Sequence, residues 1–118
     1  MSTPRPAGPY SPIVEAGEWL VVSGQVGARD GTLVPGGVAA QTSQAVANVE
    51  SLLVSRGAKL SDVVKTMVFL ADISDFAVMN DAYVAAFADH RPARSTIGVA
   101  GLPLGALVEV EAWARREP

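Results

Sequence analysis

Trp19-Leu20-Val21-Val22-Ser23-Gly24-Gln25-Val26 is the stretch on which the fold turns. Its length and its β-branched and aromatic content favour a strand over a helix. Alternation puts Trp19, Val21, Ser23 and Gln25 on one face and Leu20, Val22, Gly24 and Val26 on the other. Neither face is markedly polar, so both are expected to be buried. A chain of 118 residues fits one domain, spanning residues 1–118. It has too few helical segments to cover a sheet twice, so a second chain is expected to cover one face.

Upstream, Glu15-Ala16-Gly17-Glu18 reads as a turn and Tyr10–Val14 as a short strand, which together make a hairpin. Residues 1–9 hold Pro4, Pro6, Gly8 and Pro9 and read as an extended arm. Downstream, Asp30-Gly31 and Pro35-Gly36-Gly37 mark loops with room for only short extended pieces.

The period then changes. Thr42, Ala45, Val46, Val49, Leu52 and Leu53 make one face of an amphipathic helix, which Gly57 ends. Val63–Leu70 is a second strong strand. A second helix starts at Ser74 or Asp75 as N-cap. It carries Phe76, Met79, Tyr83, Ala86 and Phe87 as its apolar stripe, and Arg91-Pro92 breaks it. Residues 93–99 and 107–115 are the last strands, joined by the turn Leu102-Pro103-Leu104-Gly105. The order β-β-α-β-α-β-β predicts an α+β fold with two helices on one face of a mixed sheet. The turn between the last two strands makes them expected antiparallel neighbours.

Composition removes several chemistries. Hydrophobic residues at 49% and charged residues at 18% place the chain among globular proteins, not disordered ones. Cysteine is absent, which excludes thiolate catalysis, Cys-ligated zinc and iron–sulfur clusters. His90 is the one histidine, so a His-rich metal cage is excluded too. The net charge is −3, and the basic residues are scattered apart from Arg115-Arg116. No basic stripe for nucleic acid or an anionic membrane is present. The N-terminus has no apolar signal core, and no apolar run reaches membrane-spanning length. A soluble cytoplasmic protein is expected. A mean hydropathy of +0.28 is high for a small monomer and fits an oligomer.

Alternation also sorts the polar groups. Arg94, Thr96 and Gly98 share one face of their strand, while Ser95 and Ile97 share the other. Glu109 and Glu111 share a face with Leu107 and Trp113, opposite Val108, Val110, Ala112 and Ala114. A charge inside a sheet is costly unless paired or bound to a ligand. Two readings stay open. One is an anion site, with the planar fork of Arg94 on a carboxylate and a glutamate acting on water. The other is an Arg–Glu bridge pinning two strands, or a solvated face. The two glutamates lie roughly 6.5–7 Å apart along the strand, a spacing shared by acid/base pairs and by ordinary exposed strands. His90 is expected to meet a helix end or solvent, and Tyr83 and Phe87 are expected in the core. Gly24 within a strand marks a close approach of a ligand or another backbone.

These pieces combine into a family pattern. The blocks are Gly8-Pro9-Tyr10-Ser11-Pro12, Val22-Ser23-Gly24-Gln25-Val26-Gly27, and Gly36-Gly37-Val38 with Gln41-Thr42 and Gln44-Ala45. They continue through Asp62-Val63-Val64-Lys65-Thr66, Leu70-Ala71-Asp72-Ile73-Ser74-Asp75-Phe76, and Asn80, Tyr83 and Phe87. Pro92-Ala93-Arg94-Ser95-Thr96, Leu102-Pro103 and Val108-Glu109-Val110-Glu111-Ala112 complete them. In this order and spacing, nearly the whole chain resembles the Rid (YjgF-like) family of imine/enamine deaminases.

The resemblance implies a chorismate-mutase-like domain in a barrel-like homotrimer with clefts between subunits. It implies hydrolysis of 2-aminoacrylate, as its tautomer 2-iminopropanoate, to pyruvate and ammonia. Arg94 stands at the position that grips the substrate carboxylate, and Glu109 at that of the glutamate acting on water. Tyr10, Ser23, Gly24, Asn80 and Thr96 match cleft-lining positions. Thr96 replaces a frequent cysteine, and Pro12 replaces a glutamine at the cleft rim. An imine carbon is already electrophilic, so no metal or cofactor is expected. The competing expectations are a non-catalytic carboxylate sensor, a ribonuclease or translation inhibitor, and, by fold analogy alone, a chorismate mutase.

Overall fold

The computed structural model describes residues 3–117. Strand β1 (Ile13–Ala16) and strand β2 (Trp19–Val26) form a hairpin as expected, but β1 begins at Ile13 and not at Tyr10, and Glu15 and Ala16 belong to the strand, leaving Gly17-Glu18 as the turn. A two-residue ladder, β3 (Ala28–Arg29) with β4 (Thr32–Leu33), occupies the following loop. Helix α1 (Gly37–Val54) leads to β5 (Val63–Leu70), and helix α2 (Phe76–Phe87) to β6 (Ala93–Gly98). Strand β7 (Val108–Arg115) comes last.

The main sheet runs β1-β2-β7-β5-β6, with both helices on one face. The residues expected on the inner stripe of α1, from Thr42 to Leu53, are all buried. They pack on Leu20, Val22, Val68, Leu70, Val108 and Val110, whose side chains leave the sheet towards the helices. From α2, Met79, Tyr83 and Phe87 join this core. Phe76, read as part of that stripe, is exposed because it opens the helix at the edge of the sheet. The turn before α2 is capped by Asp72, whose Oδ1 accepts from the Ser74 amide at 2.9 Å. Asp75 occupies the N-cap position of α2 without a side-chain bond.

Two expectations about the sheet are corrected. First, β6 and β7 are not neighbours: β6 pairs in parallel with β5 at the edge, and β7 inserts antiparallel between β2 and β5. The β5–α2–β6 segment is a strand–helix–strand crossover, which returns the chain parallel to its start. The turn at 102–105 therefore carries the chain past β5 instead of closing a hairpin.

Second, the alternation of β2 breaks in its middle. Val22 opposes Ala112 and Gln25 opposes Val110, so β2 holds one residue more than its partner. This bulge at Ser23-Gly24 turns Gln25 to the helix side, where it is buried, and leaves Gly24 facing Glu109. Just past the end of β2, Gly27 packs so tightly on α1 that a Cβ there would lie 2.4 Å from the Gln41 Cα. A glycine is therefore required where β2 leaves the sheet.

The other face of the sheet has no helix. Val14, Trp19, Ile97 and Trp113 lie on it at 51%, 39%, 45% and 43% exposure, so this face leaves large apolar side chains uncovered. Among the described residues, no helix is long and apolar enough to cross a membrane.

Candidate functional site

Arg94 sits on the edge strand β6, in register with Thr66 of β5, and so points to the helix side. Helix α2 presents Phe76, Met79, Asn80 and Tyr83 to it, at the i, i+3, i+4, i+7 spacing of one helical face. Arg94 Nη2 donates to Asn80 Oδ1 at 2.7 Å, and Nη1 lies 3.9 Å from Met79 Sδ. The guanidinium carbon lies 4.8 Å from the Tyr83 ring centroid and 5.6 Å from that of Phe76. Among the described residues, no carboxylate forms an ion pair with Arg94. Its remaining N–H groups meet no acceptor there either. A half-buried arginine held by an amide and aromatic rings keeps its charge available for an anion.

Thr96 follows two residues later on the same face. Its Oγ1 is buried and has no hydrogen-bond partner. Among the described residues this hydroxyl is therefore not committed to the packing of the sheet.

Glu109 is elsewhere. It opposes Phe69 on β5, on the helix-free face. A Cβ on Gly24 would lie 2.7 Å from its carboxyl carbon, so the bulge glycine is what lets the carboxylate lie flat against β2. Burial, reinforced by the like charge of Glu111, holds the Glu109 carboxyl above the usual carboxylate range. Glu111 itself accepts from Trp113 Nε1 at 3.4 Å.

Tyr10, Gly24 and Glu109 line a cleft of about 930 Å³ between the N-terminal arm, the end of β2, the β3–β4 ladder and α1. Tyr10 folds back on its own arm, its hydroxyl accepting from the Ala7 amide at 3.2 Å. Ser23 is committed to anchoring that arm: its Oγ donates to the Ser11 carbonyl at 2.7 Å, and its amide to the Pro12 carbonyl at 2.9 Å.

Six of the seven predicted site residues therefore fall into two groups, and the seventh, Ser23, holds the N-terminal arm without lining the cleft. Arg94, Asn80 and Thr96 meet on the helix side at the β6 edge, while Tyr10, Gly24 and Glu109 meet in the cleft. One chain does not bring Arg94 and Glu109 together, and the expected common space between β6 and β7 does not exist. The Arg94–glutamate bridge falls with it. His90 is structural: its ring pairs with the Val63 carbonyl at 2.7 Å, and its amide donates to the Phe87 carbonyl at the end of α2.

A set of amides on α1 escaped the sequence reading. Asn48 Nδ2 donates to the Val26 and Ala28 carbonyls, Gln44 donates to Asn48 Oδ1, and Gln41 Oε1 accepts from the Leu107 amide. They fix the backbone around the cleft and the entry to β7. Their spacing, i, i+3, i+7 along one flank of an amphipathic helix, was the available signal. Phe76 was read as core when it forms one wall around Arg94.

The chain is thus a small mixed α+β domain with an arginine that has no acid partner among the described residues on one face of its sheet and a half-buried carboxylate on the other. Residues 1–116 match the family model described as Endoribonuclease L-PSP, the family of the YjgF-like and Rid proteins, and the chain belongs to it. It is 39% identical over 118 residues to RutC family protein PH0854 of Pyrococcus horikoshii, covering 98% of this chain and 94% of that one. It is 44% identical over 117 residues to the 2-iminobutanoate/2-iminopropanoate deaminase of Bos taurus, covering 98% and 85%. Its fold superposes on the YjgF gene product of E. coli with a TM-score of 0.91, at 39% identity and 98% and 94% coverage. It superposes equally, at 34% identity and the same coverage, on E. coli TdcF with bound serine.

Proposed function

We propose that this protein hydrolyses small 2-imino acids, such as 2-iminopropanoate, to the 2-oxo acid and ammonia in the cytoplasm. Its sites are completed between copies of a homotrimer, each copy one domain. The observation that carries this reading is Arg94: a guanidinium held on three sides and free of any acid partner, as carboxylate binding requires. The deaminase name of the bovine relative and the serine bound to TdcF support a small amino-acid-like ligand.

In this mechanism Arg94 grips the carboxylate and fixes the adjacent C=N carbon. Glu109 of a neighbouring copy takes a proton from water as the water oxygen bonds to that carbon. The C=N π pair moves to nitrogen, which is protonated, and a carbinolamine forms. Glu109, having passed the first proton to nitrogen, takes the carbinolamine hydroxyl proton and delivers it to nitrogen as the C–N bond breaks, C=O forms and ammonia leaves. A carboxyl held above its usual range serves both as base and as acid nearer neutrality. The uncovered apolar face supports the assembly, since it gives each chain a surface to bury.

The test generates 2-aminoacrylate in situ with a pyridoxal-phosphate dehydratase and traps surviving imine with semicarbazide. Wild type is expected to suppress trapping and Arg94→Ala to lose that effect. Unchanged trapping with wild type, alongside stoichiometric binding of a carboxylate, would move the assignment to a non-catalytic sensor. The family description names an endoribonuclease. A net charge of −3 without a basic stripe argues against RNA as the substrate here.

A further inference from the structure

Thr66 and Tyr83 are among the most buried polar side chains of the chain, at 0% and 3% exposure. Their hydroxyl oxygens lie 2.7 Å apart. Valine and phenylalanine would fill the same volumes with no hydroxyl to desolvate, and replacing both partners of such a pair is often neutral for stability. The pair therefore has little to offer the core. Its position is more telling. Thr66 stands beside Arg94 in the β5–β6 register, and the Tyr83 ring centroid lies 4.8 Å from the Arg94 guanidinium carbon.

We propose that the Thr66–Tyr83 hydroxyl bond is a positioning device that fixes the Tyr83 ring against Arg94 and so pre-orients its fork for a substrate carboxylate; this rests on the reading of Arg94 as the carboxylate grip. Helix α2 and strands β5 and β6 are thereby tied together at one point. Asn80 holds one end of the guanidinium, and the Tyr83 ring lies against its central carbon. Burial holds the Tyr83 hydroxyl above its ordinary range, so it keeps its proton and does not act as a counter-ion to Arg94. Arg94 retains its full charge for the ligand.

Three near-isosteric variants of the assembled protein separate positioning from packing. Thr66→Val keeps the volume and loses the hydroxyl. Thr66→Ser keeps the hydroxyl and loses a methyl. Tyr83→Phe keeps the ring. The readouts are calorimetric binding of pyruvate, a non-reacting 2-oxo acid, and the split between KM and kcat for the imine. Thr66→Val and Tyr83→Phe are expected to weaken pyruvate binding and raise KM about three- to tenfold, the effect of one hydrogen bond, with a smaller change in kcat. Thr66→Ser is expected to bind like wild type although its melting temperature falls. A packing role gives the reverse order, with Thr66→Ser the more damaged of the two Thr66 variants and Thr66→Val binding pyruvate as wild type does. That result overturns the proposal. Arg94→Ala separates the two levels. If it binds pyruvate like wild type, the grip itself is misassigned. If it loses pyruvate while Thr66→Val and Tyr83→Phe do not, only the positioning pair is wrong.

Discussion

Arg94 and Glu109 leave one sheet by opposite faces. Arg94 is in register with Thr66 and Glu109 with Phe69, and positions three apart on β5 point to opposite sides. A reaction that uses both side chains on one substrate therefore needs two chains. Mixing two inactive variants tests this. Arg94→Ala retains Glu109, and Glu109→Gln retains Arg94. In randomly mixed trimers about a quarter of the inter-chain sites hold both native residues, so about that fraction of activity returns. The variants are to be mixed, unfolded and refolded together, and assayed beside each variant alone. No recovery in mixed trimers would show that the two residues do not share a site.

Gly24→Ala is expected to strike at Glu109. The added methyl falls 2.7 Å from the glutamate carboxyl carbon, inside any permitted contact. The glutamate must swing away, which costs little stability because only the far end of a flexible side chain moves, but takes the carboxylate from its place. Turnover should fall about a hundredfold, because a misplacement of one ångström in a reacting group costs that much. Pyruvate binding should change far less, since Arg94 lies on the other face. Rate and calorimetry on one preparation separate the two effects.

Most of this fold was legible because its elements are long and their periods clear. The inner stripe of α1, the alternation of β7 and the bare second face all follow from residue type and spacing. The bulge was hidden because Ser23-Gly24-Gln25-Val26 continues a plausible alternation, and only the glycine hints at the slip. The short turn at 102–105 suggests a β6–β7 hairpin, whereas the crossover through α2 brings β6 parallel to β5 at the sheet edge. In the site, Asn80 was readable as one polar side chain inside the apolar stripe Phe76-Met79-Tyr83. The separation of Arg94 from Glu109 was not readable, because it depends on strand order, which side-chain pattern does not encode.

The pH dependence follows from the raised Glu109 carboxyl. As general base it must be ionised, so the acid limb of kcat/KM should lie above the ordinary carboxylate range. Glu111→Gln removes the like charge beside it and should move that limb to lower pH. The stability effect has the opposite sense. A carboxyl raised on folding favours the folded state at low pH, and that contribution is lost as pH rises through its folded pKa. Glu109→Gln should therefore raise the melting temperature at neutral pH, with the gain shrinking in acid. A gain that grows on acidification would contradict the assignment.

Asn48 lines the cleft and holds the backbone around it. Its amide satisfies two backbone carbonyls, Val26 at 3.1 Å and Ala28 at 2.9 Å, and it is itself nearly buried. Asn48→Leu leaves both carbonyls without that partner, and a stability loss of about 1–3 kcal/mol is expected. The β3–β4 ladder next to it should exchange amide hydrogens faster, while the β5–β7 pairing should not. Uniform loss of protection across the sheet would mean that Asn48 serves the whole core and not the cleft.

Both tryptophans, Trp19 and Trp113, lie on the helix-free face, which makes the assembly visible by fluorescence. In a trimer that buries this face their emission is shifted to the blue. Ile97→Asp places an uncompensated charge on the same face without touching either indole or the core under the helices. Sedimentation should then report a monomer, and emission should move to the red. Far-UV circular dichroism should stay native, because every core side chain of the single chain remains packed. Turnover should disappear together with the trimer, since each chain would keep Arg94 but lose the neighbour's Glu109. A folded Ile97→Asp monomer with wild-type turnover would place the whole reaction within one chain and remove the inter-subunit site.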